Sequence, residues 1–298
     1  MQNKYFVSDT DSDWGSACPE CSGCDPSHIG GCTDIGNWWN WFLSPDSPAI
    51  LDALFKENGQ SSSYSRLAIN PSGENDIILF TSPLADSNLQ GSPSDPPTVG
   101  NNPLFGEDAS SEFQTVANAK GVYQSLLAYF ATRPDKLFVV ITAPPLDESQ
   151  TDATTAANVR AFNDWLVKEW LIGYPLNNVA VFDLYHVLTS NGGSPGQNDL
   201  TQSDGNHHRW WNGFVQHLMT VRQNTSAYSQ GEDSMPTKAG FQKATAEFVP
   251  LLNIFYDRWK EGEFPPLSIT PSATPSPVYP YHVHVPIIYQ GPPINPPR

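Results

Sequence analysis

Three short apolar runs, each separated from the next by a helical pattern, constrain the fold of this chain more than any other feature. They are residues 76–80 (DIILF), 136–143 (KLFVVITA) and 178–185 (NVAVFDLY). Each is dense in Val, Ile, Leu or Phe and bounded by polar or turn residues, as in a strand buried on both faces. Residues 4–9 (KYFVSD) form a weaker fourth run. Between the runs, Val116, Tyr123, Leu126, Leu127 and Phe130 recur near a period of 3.6, with Pro134 just past the end. Val159, Phe162, Leu166, Trp170 and Leu171 make a second such stripe. Phe241, Ala244, Phe248, Leu251, Leu252, Phe255 and Trp259 make a third, which contains Pro250 and should kink there. Strands alternating with helices predict an α/β domain with right-handed crossovers.

The chain has 298 residues, 39% hydrophobic and 12% aromatic, enough for a substantial core. Acidic residues outnumber basic ones 31 to 15, for a net charge of −16, so nucleic acid and anionic membrane are repelled as partners. Neutral ligands such as carbohydrate remain open. The longest apolar run, LFVVI, is too short to span a bilayer. The first fifteen residues have neither the basic start nor the apolar run of a signal peptide. Composition changes near residue 264: eleven of the 34 residues from 265 to 298 are proline. The reading is one domain over 1–264 and a Pro-rich tail over 265–298, disordered, extended and solvated. Its removal should change stability by no more than about 1 kcal/mol. Inside the tail, YHVHVPIIY (281–289) alternates in polarity. His282 and His284 would share a strand face there, but incidental histidines in an apolar tract are favoured over a metal pair.

All four cysteines, Cys18, Cys21, Cys24 and Cys32, fall in a Cys-rich segment over 14–36. Their spacing suits two disulfides in an exported protein, a structural zinc held by four thiolates, or free thiols. No cofactor is required by any of these readings beyond that possible zinc. Asp9, Asp11, Asp13 and Glu20 match acidic positions of a calcium loop, but Trp14 stands where the loop needs glycine, so a solvated acidic turn is favoured.

In open parallel sheets, ligands sit beyond the carboxyl ends of the strands. Ser82 follows the first run, and a hydroxyl displayed there is a nucleophile candidate; the plainer reading is a turn residue before Pro83. His207 and His208 lie in GNHHRWWNG, beside Trp210 and Trp211. They are candidate bases for a rewired triad, or hydrogen-bonding groups in a loop whose tryptophans either stack on a sugar or join the core.

The order of these pieces resembles the SGNH, or GDSL-type, hydrolase superfamily. Asn88 lies in the loop after IILF, Pro144-Pro145 follows VVITA, and Pro236 and Gly240 keep a Pro-x-x-x-Gly spacing before the last helix. YFVSDT, TDIGNWW, SSYSRL, TVANAKGVY, DKLFVVITAPPL, AFNDWLV, NVAVFD, NHHRWWNG and GFQKATAEFVPLLN resemble one bacterial extracytoplasmic branch, over about residues 4–260. The resemblance implies a three-layer, doubly wound parallel sheet of SGNH or flavodoxin-like type. It also implies hydrolysis of acyl esters, on carbohydrate in the main, with Asn88 contributing to an oxyanion or substrate site. Two departures bear on activity. Met235 stands where the resemblance puts the catalytic His, leaving Asp233, or Glu232 beside it, as a vestigial acid. Only four residues precede YFVSDT, so the strand carrying the nucleophilic serine is expected to be missing. A thioether cannot take a proton from a serine hydroxyl, and an acid orients nothing without the imidazole. The expectation is therefore an ester-hydrolase domain that is inactive as written, its partners a carbohydrate or small acyl ester. The alternative is a non-catalytic extracellular carbohydrate-binding protein. Clustered cysteines, acidic charge and the Pro/Ser/Thr tail suit an extracellular or cell-surface location.

Overall fold

A computed structural model describes residues 5–9, 33–56, 74–189, 207–211, 214–217, 224–229, 234–261 and 283–288; for 5–9, 209–211, 214–217 and 283–288 it describes the backbone alone. The four cysteines, Glu232 and Asp233 lie outside these residues.

The three strong apolar runs are strands β2 (Ile77–Thr81), β3 (Leu137–Ile141) and β4 (Val179–Phe182), paired in parallel. The weaker run is β1 (Tyr5–Asp9). Successive side chains of a strand point to opposite faces, and here both faces are dry. Ile78, Phe80, Phe138, Val140, Val179 and Val181 enter one core; Ile77, Leu79, Leu137, Val139, Ala180 and Phe182 enter the other. This is an α/β domain with helices on both faces.

The first core is covered by α1 (Asn37–Phe42), α2 (Ser47–Lys56), α3 (Val116–Phe130) and α4 (Ala153–Lys168). Aromatic rings fill it: Phe130 stacks on Phe138 at 4.1 Å, and Trp38 meets Phe80 edge-on at 4.9 Å. Both long helices start at side-chain caps, α3 at Thr115 and α4 at Asp152, which takes up orphan N–H groups of the first turn. The second core is covered by α6 (Lys238–Glu261), with Pro250 inside it and with help from Val187 on α5 (Leu184–Thr189). Near its carboxyl end, Trp259 donates to Pro134 O and Arg258 to Asn177, both just before strands. So α6 runs antiparallel to the sheet and ends at its amino edge. A separate antiparallel hairpin pairs β5 (His208–Trp211) with β6 (Phe214–His217). No helix among the described residues is long and apolar enough to cross a membrane.

One tract of the tail, Val283–Ile288, differs from the expected solvated state. Val283–Ile288 forms β7, seated between β1 and β2 in the order β1–β7–β2–β3–β4. The physical reason is edge satisfaction. Without β7, the facing backbone groups of β1 and β2 would have no ladder partner. VHVPII is also the tract of the tail richest in β-branched residues. The alternating tract 281–289 thus contains a strand within the Pro-rich tail, and cutting at 264 would remove it together with its ladder to β1.

Close packing of α3 on the loop before it sets a sharp steric limit. A Cβ at Gly121 would lie 2.4 Å from Thr98 O and 2.7 Å from Asn102 Nδ2. That loop is tied down, because Thr98 N donates to Ala117 O and Asn102 Nδ2 to Asn118 O. Gly121→Ala should gain up to ~1 kcal/mol of helix propensity and lose more to overpacking, for a net destabilisation of about 1–3 kcal/mol. Urea denaturation of the two proteins measures it; an unchanged or raised midpoint would mean that the loop moves away freely.

Candidate functional site

The carboxyl ends of β2, β3 and β4 open into three loops, and residues 224–229 and 234–237 pack against the β3 loop and the end of α5. Ser226 N donates to Leu146 O, and Asp147 N to Ser234 Oγ at 3.0 Å. Ser229 Oγ donates to Asp147 Oδ2, and two further bonds from Ser149 hold that carboxyl below its usual range. Residues 234–237 then turn into α6 through Pro236. Gly240 lets the turn close, since a Cβ there would meet the Tyr228 side chain at 2.9 Å. This is the physical content of the Pro-x-x-x-Gly spacing. Met235, half-buried, sits on this approach to α6 next to Ser234.

On the loop after β2, Asn88 is exposed, with Gln90 Nε2 3.5 Å from its Oδ1. Its neighbour Ser87 donates to Pro144 O at 2.5 Å, joining the β2 and β3 loops. Ser82 is not on the rim surface. It is 1% exposed, and its oxygen accepts from Trp38 Nε1 at 3.0 Å and lies 3.4 Å from Tyr123 Oη. Beneath it is Asp86, also 1% exposed, which accepts from Ile35 N and Gln114 Nε2. Burial, reinforced by the charge of Asp34, raises its pKa well above the usual carboxylate range.

The histidine pair belongs to the other face of the sheet. Glu247, on α6, accepts from the backbone N–H groups of His207 and His208, and from His208 Nδ1 at 2.9 Å. Its Oε1 is 3.4 Å from His207 Nδ1. Burial pushes the Glu247 carboxyl up, but the histidine contacts outweigh it and bring the pKa down to about 2. His208 Nε2 accepts from Asp183 N at 3.0 Å, and the ring stacks on Phe182 at 4.9 Å. One imidazole therefore joins the β5–β6 hairpin, α6 and the end of β4. The ring of His207 is buried, and burial lowers its pKa. No hydrogen bond joins Ser82 to either histidine among the described residues, so these two halves of the rewired triad are not brought together. The side chains of Trp210 and Trp211 are outside the description.

A second buried cluster, absent from the sequence reading, begins at the same Asp183. Both its carboxylate oxygens face His186 Nδ1, at 2.9 and 2.8 Å, and neither residue has measurable exposure. His186 Nε2 is 2.8 Å from Arg160 Nη1, a donor the ring accepts only when neutral, and 3.0 Å from Asp164 Oδ1, the charge that faces it when protonated. The Asp164 approach is an ion-pair contact off the line of a good hydrogen bond. Arg160 also donates Nε to Asn224 Oδ1, and Tyr185 Oη donates to Asn224 O, which anchors residues 224–229. Burial alone would lower the His186 pKa; the Asp183 and Asp164 carboxylates outweigh it and raise it to about 9. The available signal was the Asp-x-x-His spacing of FDLYH at a strand end. Glu247, next to Phe248 on α6, gives no such local signal.

No group of three or more His, Cys, Asp or Glu among the described residues is placed to hold a metal ion. The four cysteines offered as zinc ligands or disulfides are outside that statement.

Folding raises the proton affinity of His186, so the stability gained from its proton is complete below about pH 6.5 and is lost as pH climbs through about 9. The melting temperature should fall over that window, and His186→Gln should flatten the fall. A wild-type curve level from pH 6.5 to 9.5 would refute the charged-cluster description.

Comparisons with protein-family models, with curated proteins and with solved structures found no match.

Proposed function

We propose that this chain is an SGNH-type ester-hydrolase domain that binds a small acyl ester or acylated carbohydrate at its carboxyl rim and does not turn it over by serine chemistry. The motif order quoted above supports the family. The parallel sheet β2–β3–β4 with helices on both faces is compatible with a doubly wound SGNH arrangement.

The observation that carries the reading is Met235 on the segment packed against the β3 loop, next to Ser234 bonded to Asp147. A thioether there offers no base. The other candidates point the same way: Ser82 has its oxygen in the core, and His207 and His208 are held by Glu247. Asn88, exposed on the loop after β2, has its Oδ1 near Gln90 and presents its Nδ2 as the donor for a ligand carbonyl. The cysteine-rich segment and acidic charge fit a protein that works outside the cell.

Purified protein should hydrolyse p-nitrophenyl acetate no faster than a heat-killed control, and Met235→His alone should add nothing, since Ser82 stays buried. Turnover that a serine-directed fluorophosphonate blocks, and that Ser82→Ala or His207→Ala removes, would overturn the reading in favour of a rewired triad. Calorimetry with a partly acetylated oligosaccharide should show binding that Asn88→Ala weakens about fivefold, the loss of roughly 1 kcal/mol expected for one hydrogen bond. Equal affinity for the deacetylated sugar would remove the acyl group from the proposal.

A further inference from the structure

The centre of the sheet is filled from the far end of the chain. Among the described residues β1 pairs with β7 alone, over five residue pairs from Tyr5↔Val283 to Asp9↔Ile287. β7 reaches β2 over only two pairs, Leu79↔Ile287 and Phe80↔Ile288. It also contains Pro286, opposite Ser8, which has no N–H for a ladder. On its β2 side the occupant is thus matched over fewer pairs than β3, which is matched over five.

The connection to that occupant is long. From Glu261, where α6 ends at the amino edge, 21 residues (262–282) lead to Val283, six of them proline. The gap to be crossed is about two strand spacings, ~10 Å, and one helix layer of about 10 Å. Twenty-one residues in polyproline form reach ~65 Å. The strand is therefore placed by its fit to the slot and not by a short tether.

We infer that the position between β1 and β2 is a strand-acceptor site, and that the partner it fits is the C-terminal strand of a second copy of this chain. The slot takes an extended segment parallel to both neighbours, and Val283–Ile288 is the segment that matches it. In the intact molecule a tether of this kind gives an effective concentration on the order of mM, so the slot is filled in cis at ordinary concentrations. When a chain's own strand is withdrawn, a strand from another copy takes its place, an exchange of identical elements between protomers.

The test uses the full chain. Val285→Pro with Ile287→Pro removes two further N–H groups from β7 and should empty the slot. A fluorescein-labelled peptide of residues 279–290 should then bind the double variant in fluorescence anisotropy. It should bind wild type at least tenfold more weakly, because that slot is occupied, and a scrambled peptide should bind neither. Circular dichroism confirms that the variant is folded. No binding to a folded variant, or equal binding of the scrambled peptide, overturns the inference. Hydrogen exchange on wild type covers the case of a variant that fails to fold. Protection of the 283–288 amides comparable to β2 supports a seated strand, and exchange at unfolded-chain rates overturns it.

Discussion

Burial of β2, β3 and β4 on both faces is the constraint that the rest of the molecule answers to. Apolar side chains above and below the sheet bury the strand ends, so a polar group that emerges there is costly unless it finds a partner within the protein. Ser82 finds Trp38, Asp86 finds Ile35 N and Gln114, Thr142 accepts from Tyr185 N, and Asp183 finds His186. The carboxyl rim, where an α/β protein ordinarily gathers its reactive groups, is here largely a layer of satisfied hydrogen bonds. Among the polar side chains it leaves on the surface is that of Asn88, and Met235 is half-buried on the approach to α6.

Asp183 shows how far this satisfaction extends. Its N–H goes to His208 and through that ring to Glu247 on α6; its carboxylate goes to His186 and on to Arg160 and Asp164 on α4. Helices on opposite faces of the sheet are thereby tied through one strand end by charged or charge-assisted bonds. Such bonds are shorter and stronger than neutral ones when buried. They also demand all their members, because a buried carboxylate stripped of its partner is costly.

The strands and long helices were legible in the sequence because their signal is local. Runs such as LFVVI, and the stripe from Val116 to Phe130, carry their period within one segment. The buried clusters were not, because they join residues far apart in sequence: Glu247 to His208 over 39 positions, Arg160 to His186 over 26. Glu247 reads as a surface residue of an amphipathic helix until the histidines that hold it are known. The motif positions Asn88 and Met235 were readable by order alone, yet order says nothing about exposure, which separates Asn88 from Ser82. For β7 the alternation of 281–289 was readable, but its seat between β1 and β2 was not. The slot that selects it exists only after the other strands have assembled.

The pairing of β1 with β7 has a mechanical consequence. The strands run parallel, so the flank leading into β1 and the flank leaving β7 emerge at opposite ends of the same ladder. Tension applied across those flanks pulls the two strands lengthwise past each other and loads their hydrogen bonds together, where a hairpin would open one bond at a time. A pull along these two strands would therefore meet the five paired positions of the β1–β7 ladder at once rather than in turn.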